Sequence, residues 1–215
     1  MSRLWTFGDS FTEGYEPKHN TKTKHWRHHY NEWKGYIPKV YGEVFAERLG
    51  YELKNYGMGS WDNYSIFESF CKIVNQIKPD DIIIFGWSSP ERFRIIGTDG
   101  YWKQMAPSYE KNGDKKHNLS DNTVDEIFVN RTNQRYSDEV NHWINLINFT
   151  FKNNIIIHWT PFVSNINSHY LCGFETIREE TNGIVGDGHF SEGGQIELTN
   201  KLYTIYNKKI NKELI

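Results

Sequence analysis

The chain has 215 residues, enough for one domain with a sizeable core, and its 25 basic and 27 acidic residues nearly cancel. That balance, with the basic residues interspersed rather than gathered in a stripe, argues against nucleic-acid binding and against an anionic membrane surface. Apolar residues make up only 37%, but aromatics reach 16%, so large rings supply burial area and the composition is not that of a disordered chain.

Arg3 to Phe7 is a short apolar run bounded by Gly8 and reads as a strand. Pro38 to Leu49, with Val40, Val44, Phe45 and Leu49 recurring and Gly50 beyond, reads as a helix that starts at proline and stops at glycine. Glu52 to Tyr56 is a second strand, ending at the Gly57 and Gly59 cluster. A helix from about Tyr64 to Ile77 places Ile66, Phe70, Ile73, Val74 and Ile77 on one face and is stopped by Pro79. Asp81 to Gly86 is apolar at Ile82, Ile83, Ile84 and Phe85, the pattern of a central strand covered on both faces. Tyr136 to Phe151 has helical period, Ile155 to Trp159 is another fully apolar strand, and a last helix runs from about Glu192 to Asn211.

Strands alternating with helices of these lengths predict a three-layer α/β/α sandwich around a central parallel sheet, as one domain over residues 1–215. Two stretches break the rhythm, at about 15–35 and 93–135. Both are polar and aromatic with little periodicity, as functional lids or binding insertions are. No basic leader and no long apolar segment precede the first strand, so neither signal peptide nor membrane span is expected in this form. The expected location is cytoplasmic or virion-associated, or that of a mature chain whose leader has been removed. Cys71 and Cys172 are too few for a disulfide scaffold and are read as buried thiols in a reducing compartment.

In open α/β sheets, sites lie beyond the carboxyl ends of the strands. The segments there are Gly8-Asp9-Ser10-Phe11-Thr12-Glu13-Gly14, then Asn55-Tyr56-Gly57-Met58-Gly59-Ser60, then Gly86-Trp87-Ser88-Ser89; Gly186-Asp187-Gly188-His189 precedes the final helix. A serine, two backbone turns and an Asp/His pair thus converge on one edge. Acyl transfer needs such a set: a hydroxyl activated by an imidazole, and fixed donors for the oxyanion. Asp9-Ser10 would equally suit the cap of a short helix.

The first of these segments resembles the signature block of the GDSL (SGNH) hydrolases, and the order of four blocks spans residues 3 to about 200. The resemblance implies a flavodoxin-like sandwich and an esterase whose nucleophile is Ser10 and whose base is His189. The family's acid lies three residues before its histidine; here Asp187 lies two before, and either it or another acceptor orients the imidazole. The second-block oxyanion donor falls on Gly59 or Ser60, through a backbone N–H that joins that of Ser10. Ser88 stands where the family's third block has asparagine, with Asn63 or Arg92 as alternative donors. Asp9, Asn63, Trp87 and Arg92 are the candidate substrate-binding positions, and Arg92 is equally read as an ion-pairing residue.

Adjacent histidines in His25-Trp26-Arg27-His28-His29 would point apart, and no paired carboxylate has helical spacing, so no metal is expected. No phosphate-cradling glycine loop is present, so no nucleotide cofactor is expected either. The expected partner is a small-molecule or glycan ester, for instance an O-acetylated carbohydrate. The alternatives are a non-catalytic binding protein that keeps the fold, and a thioesterase or lipid acyl hydrolase working through the same residues.

Overall fold

The structure, a computed structural model, describes residues 1–13, 35–89, 92–96, 102–105, 133–162, 165–171 and 190–212. Its centre is the strand with apolar side chains on both faces, β3 (Ile82–Gly86), in which every residue is buried. It is flanked by β1 (Arg3–Gly8) on one side and β6 (Ile155–Thr160) on the other; β2 (Glu52–Gly57) pairs beyond β1 and the two-residue β7 (Tyr170–Leu171) beyond β6. All four pairings are parallel, giving one sheet in the order β2-β1-β3-β6-β7. The chain leaves β1 toward β2, then returns past it to β3. The order therefore reverses between β1 and β3, which is where ligands sit in doubly wound sheets.

The period-2 alternation of each strand sorts the core into two layers. Leu4, Ile82, Ile84, Ile157 and Trp159 face helices α1 (Tyr41–Leu49) and α4 (Glu192–Ile210), packing with Phe45, Leu198 and Leu202. Trp5, Phe7, Ile83, Phe85 and Ile156 face α2 (Asn63–Cys71) and α3 (Asn133–Thr150), packing with Ile66, Phe70, Val140 and Ile144. Helices on both faces of a parallel sheet make the three layers expected from the sequence. Burying one such Ile or Phe contributes about 1.5–3 kcal/mol, so the two layers hold the sheet rigid beneath its carboxyl edge.

The amino edge of the sheet is pinned by a charge. Asp81, 1% exposed, accepts from the backbone N–H groups of Arg3 and Lys78, from the Trp5 indole at 2.8 Å, and from the Arg3 guanidinium at 2.8 Å. Burial alone would raise this carboxyl, but those donors outweigh it and hold it below its ordinary value.

The elements depart from the sequence expectation in four places. α1 begins at Tyr41, with Val40 as N-cap and the Glu43 side chain accepting from the Val40 N–H at 2.8 Å, so Pro38 lies ahead of the helix. α2 ends at Cys71, and the chain tightens into a 3-10 turn at Val74–Gln76, where β-branched Ile73 and Val74 favour the α-helix weakly. The stretch read as aperiodic contains an antiparallel hairpin, β4 (Phe93–Ile96) with β5 (Trp102–Met105). Cys71, expected to be buried, is exposed at the end of α2 because it falls on the face turned away from the sheet. Among the described residues no helix is long and apolar enough to cross a membrane.

Two predictions follow from this packing. Asp81→Ala leaves three or more donors unpaired beneath the sheet and should destabilise by about 3 kcal/mol, read from urea midpoints. The second concerns His158 and His169, whose rings stack at 5.5 Å. His158 is fully buried, accepts from the Trp87 indole at 3.2 Å, and donates its backbone N–H to His169 Nδ1 at 2.9 Å. Burial, with the charges of His169 and Lys209 adding to it, holds His158 well below the ordinary 6.5, and burial with Lys209 holds His169 at about 4. The unfolded chain then takes up protons between pH 6.5 and 4 that the fold refuses. Stability should be full above pH 6.5 and fall as the pH drops toward 4. A series of thermal midpoints should show that slope, and His169→Gln should flatten it.

Candidate functional site

Strands β1, β2 and β3 all end in glycine, and the three are in register: Gly8 pairs with Gly57 on one side and Gly86 on the other. The row makes a floor without side chains, on which the turn after β1 sits. A Cβ on Gly57 would stand 2.6 Å from both the Glu13 nitrogen and the Thr12 carbonyl carbon, and one on Gly86 2.9 Å from Thr12 Oγ1. One on Gly8 would also collide with Thr12 Oγ1. The turn itself closes through Thr12 and Glu13 N–H groups donating to the Asp9 carbonyl at 2.9 and 3.0 Å. Asn55 fastens it from β2, donating to the Thr12 carbonyl at 2.7 Å and accepting from Gly57 N–H at 2.8 Å. Tyr41 supports it from below, its hydroxyl 3.2 Å from Thr12 Oγ1, and burial pushes that phenol well above its ordinary range. Ser10 is half-buried in this turn and lies directly beyond the switch point between β1 and β3.

Behind Ser10 is a buried polar network. Asp9, 2% exposed, accepts from Phe11 N–H at 3.1 Å, from Ser88 Oγ at 2.9 Å, and from the Arg92 guanidinium at 3.0 Å. Arg92 also donates to Ser88 Oγ at 3.0 Å. Its backbone N–H donates to the Ser89 carbonyl at 3.1 Å. Asn63 is committed on both sides of its amide, accepting from Ser88 N–H at 2.7 Å and donating to the Ser88 carbonyl at 3.0 Å.

These bonds correct several sequence expectations. The Ser88 hydroxyl has one proton and spends it on Asp9 in full burial, so it is not aimed at an oxyanion. Asn63 uses its amide oxygen and one amide N–H on the Ser88 backbone. Asp9 is a buried acceptor that builds the turn; its bond to Phe11 N–H closes the turn locally, and no helix starts there for it to cap. Trp87 is 0% exposed, stacked on Phe85 at 5.1 Å, because strand alternation continues past Gly86 and turns it under α2 and α3. Arg92 is the ion-pairing residue of the two readings given for it, with its side chain 24% exposed.

Across from Ser10 stands the turn after β2. A Cβ on Gly59 would lie 3.9 Å from the Ser10 Cβ, so the two residues face each other. Gly59 N–H donates to Glu13 Oε2 at 3.0 Å, and Ser60 holds φ at 65°, a left-handed conformation uncommon for serine. On the third side Phe190, fully buried, packs on Phe11 with ring centroids 4.8 Å apart. Each of these rings belongs to the residue that follows a candidate catalytic residue in the chain. His189, Asp187, the His25–His29 cluster, Cys172 and most of both insertions lie outside the described residues. Among the described residues no group of His, Cys, Asp and Glu could hold a metal ion.

Beside the Asp9 network a cavity of about 350 Å³ opens, lined by Asn63, Tyr64, Arg92, Arg94, Glu139 and Trp143 among others. Its charges are largely committed: Arg92 to Asp9, and Arg94 to Glu68 at 3.2 Å while lying 3.8 Å over the Tyr64 ring. Such a wall is rigid, part aromatic and near neutral. Sequence reasoning assigned no role to Thr12, Glu13, Asn55 or Tyr41, though the first three stand in the two blocks it singled out.

No protein-family model matches the chain, and no curated protein matches it. Solved structures similar in outline include the following two. One is a member of the lipolytic protein G-D-S-L family from Veillonella parvula, at 11% identity and a TM-score of 0.49, covering 97% of this chain and 100% of that one. The other is an acetyl xylan esterase from the rumen bacterium Butyrivibrio proteoclasticus, at 11% identity and a TM-score of 0.47, covering 98% of this chain and 64% of that one.

The glycine floor has a direct test. Gly57→Ala forces backbone against backbone and should cost about 2–3 kcal/mol while disrupting the Ser10 turn. Gly50→Ala, in open space at φ 66°, should lose less and leave the site intact. Chemical denaturation and the ester assay described below separate the two.

Proposed function

We propose that this protein is a GDSL (SGNH)-type serine hydrolase of carboxylic esters. The observation that carries the reading is the placement of Ser10: half-buried at the switch point, on a turn facing the Gly59-Ser60 backbone. In the proposed reaction Ser10 Oγ attacks the ester carbonyl carbon and its proton passes to His189. The tetrahedral intermediate is held by backbone N–H groups of Ser10 and of the Gly59-Ser60 turn. It collapses by expelling the alcohol, which takes the proton from His189. Water, deprotonated by the same imidazole, then releases the acid from the acyl-enzyme and regenerates Ser10. Asp187 is the proposed orienting acid, and the packing of Phe190 on Phe11 supports bringing its chain neighbour His189 to the Ser10 turn. No cofactor enters this chemistry.

The proposed substrate is an O-acyl carbohydrate with a small acyl group such as acetyl. The near-neutral, partly aromatic cavity beside Asp9 supports an uncharged polyhydroxylated leaving group over a long acyl chain. A second reading, a binding protein that has lost turnover, is favoured by one observation: the side chain at the third-block position, Ser88, gives its proton to Asp9.

The two readings separate on p-nitrophenyl acetate and a fluorophosphonate probe. Wild type should turn over and label, while Ser10→Ala and His189→Ala should fall to background, a loss of at least about 10⁴-fold. Asp187→Ala should fall by a comparable or somewhat smaller factor; full activity there would mean a Ser–His dyad. A wild type inert to both reagents would favour the binding-protein reading.

A further inference from the structure

We infer that Glu13 is a positioning residue for the oxyanion site, acting by clamping the Gly59-Ser60 turn against the turn that carries Ser10. The inference rests on the hydrolase reading above.

Glu13 belongs to the Ser10 turn by its backbone, whose N–H donates to Asp9 O at 3.0 Å. Its side chain reaches across to the other turn, where Oε2 accepts from Gly59 N–H at 3.0 Å. One residue thus spans the two backbones that the proposed mechanism needs at fixed separation. The contact is close: a Cβ on Gly59 would stand 2.9 Å from Glu13 Oε2, with Ser10 Cβ next nearest at 3.9 Å.

This bond also decides between the two candidate backbone donors. Gly59 N–H is already given to a carboxylate, so it is not the donor for a developing oxyanion. Ser60 N–H, next along the chain, takes that role. Ser60 is held at φ 65°, a conformation that costs a non-glycine residue about 1 kcal/mol or more and persists only where its surroundings impose it. Around it the Glu13 clamp holds Gly59 N–H at 3.0 Å, Met58 N–H donates to the Gly8 carbonyl at 3.0 Å, and Trp61 N–H donates to the Met58 carbonyl at 3.3 Å. Of these three, the clamp is the bond that joins this turn to the turn of residues 9–13. Ser88 supplies no side-chain donor. Backbone donors then carry the proposed oxyanion site, which makes the spacing of the two turns the quantity to protect.

The test uses the full chain with p-nitrophenyl acetate, thermal midpoints, and the exchange rate of the Gly59 amide by NMR. Glu13→Ala should lower kcat by roughly 10- to 100-fold, the scale of a misplaced donor, with KM changed by less than about threefold. Its thermal midpoint should stay near wild type while the Gly59 amide loses protection. Glu13→Gln keeps a carbonyl oxygen for the bond and should restore most of kcat and the protection. Gly59→Ala pushes its new Cβ onto the carboxylate, so it should imitate Glu13→Ala and add little in that background. Wild-type kcat in Glu13→Ala, or a loss that follows the unfolded fraction, overturns the inference and leaves the hydrolase reading standing. A rise in kcat also overturns it, since the carboxylate would then be an obstruction in the oxyanion site. Failure of Glu13→Gln to recover would show that charge is required and the clamp is not the cause. A wild type inert to ester and probe removes the hydrolase reading, and this inference with it.

Discussion

The arrangement at the sheet's carboxyl edge depends on three glycines in one row. Parallel strands set side by side in register normally end in a ridge of side chains. Here Gly8, Gly57 and Gly86 leave that ridge out, and the turn of residues 9–13 settles into the space against the strand ends. The close approach has an energetic reason. Any Cβ in the row meets Thr12 or Glu13 well inside van der Waals contact, and at Gly57 the collision is with backbone, which cannot rotate away. Thr12 fills the floor, Tyr41 and Asn55 hold Thr12, and Ser10 is carried to the crevice at the point where strand order reverses.

Seating the turn also buries Asp9, and a buried carboxylate must be paired. Ser88, Arg92 and the Phe11 N–H supply the pairing. The network gives an arginine four residues beyond Ser88 its place in the site, as the ion-pair partner of Asp9. It also gives Asn63 a structural part, since its amide holds the Ser88 backbone from both sides. Among the described residues, Asp9, Ser88, Arg92 and Asn63 at this rim bond to one another or to nearby backbone. The proposed hydrolase mechanism is accordingly one that relies on N–H groups whose positions are set by turn geometry.

The two core layers make this possible. Ile83, Phe85, Trp87 and Ile156 on one face and Ile82, Ile84 and Trp159 on the other leave β3 no freedom to shift, so the edge it presents is fixed. Asp81 anchors the opposite edge through Arg3, Lys78 and Trp5. A rigid sheet between two pinned ends lets a loop-borne serine hold one position.

How much of this was legible in the residues follows from the range of the interactions involved. Apolar runs such as Ile82-Ile83-Ile84-Phe85 and the helical period around Val140 and Ile144 are local patterns, and they determined the strands, the helices and the three-layer fold. The Gly-Asp-Ser block and its place after β1 were equally readable. The hairpin at 93–105 was missed because four-residue strands carry too few alternations to stand out from a polar insertion. What the side chains at the edge do was decided by tertiary structure alone. Asp9 and Ser88 are 79 positions apart, Glu13 and Gly59 46, and hydrogen bonds over such separations leave no spacing to read. Trp87 shows the same limit from the other direction. Its neighbourhood in the chain suggested a binding cleft, but strand alternation, extended by one residue past Gly86, buried it in the core. Composition and period determine which segments form and which faces they bury; only folding brings distant donors and acceptors together and shows which polar groups are already spent on each other.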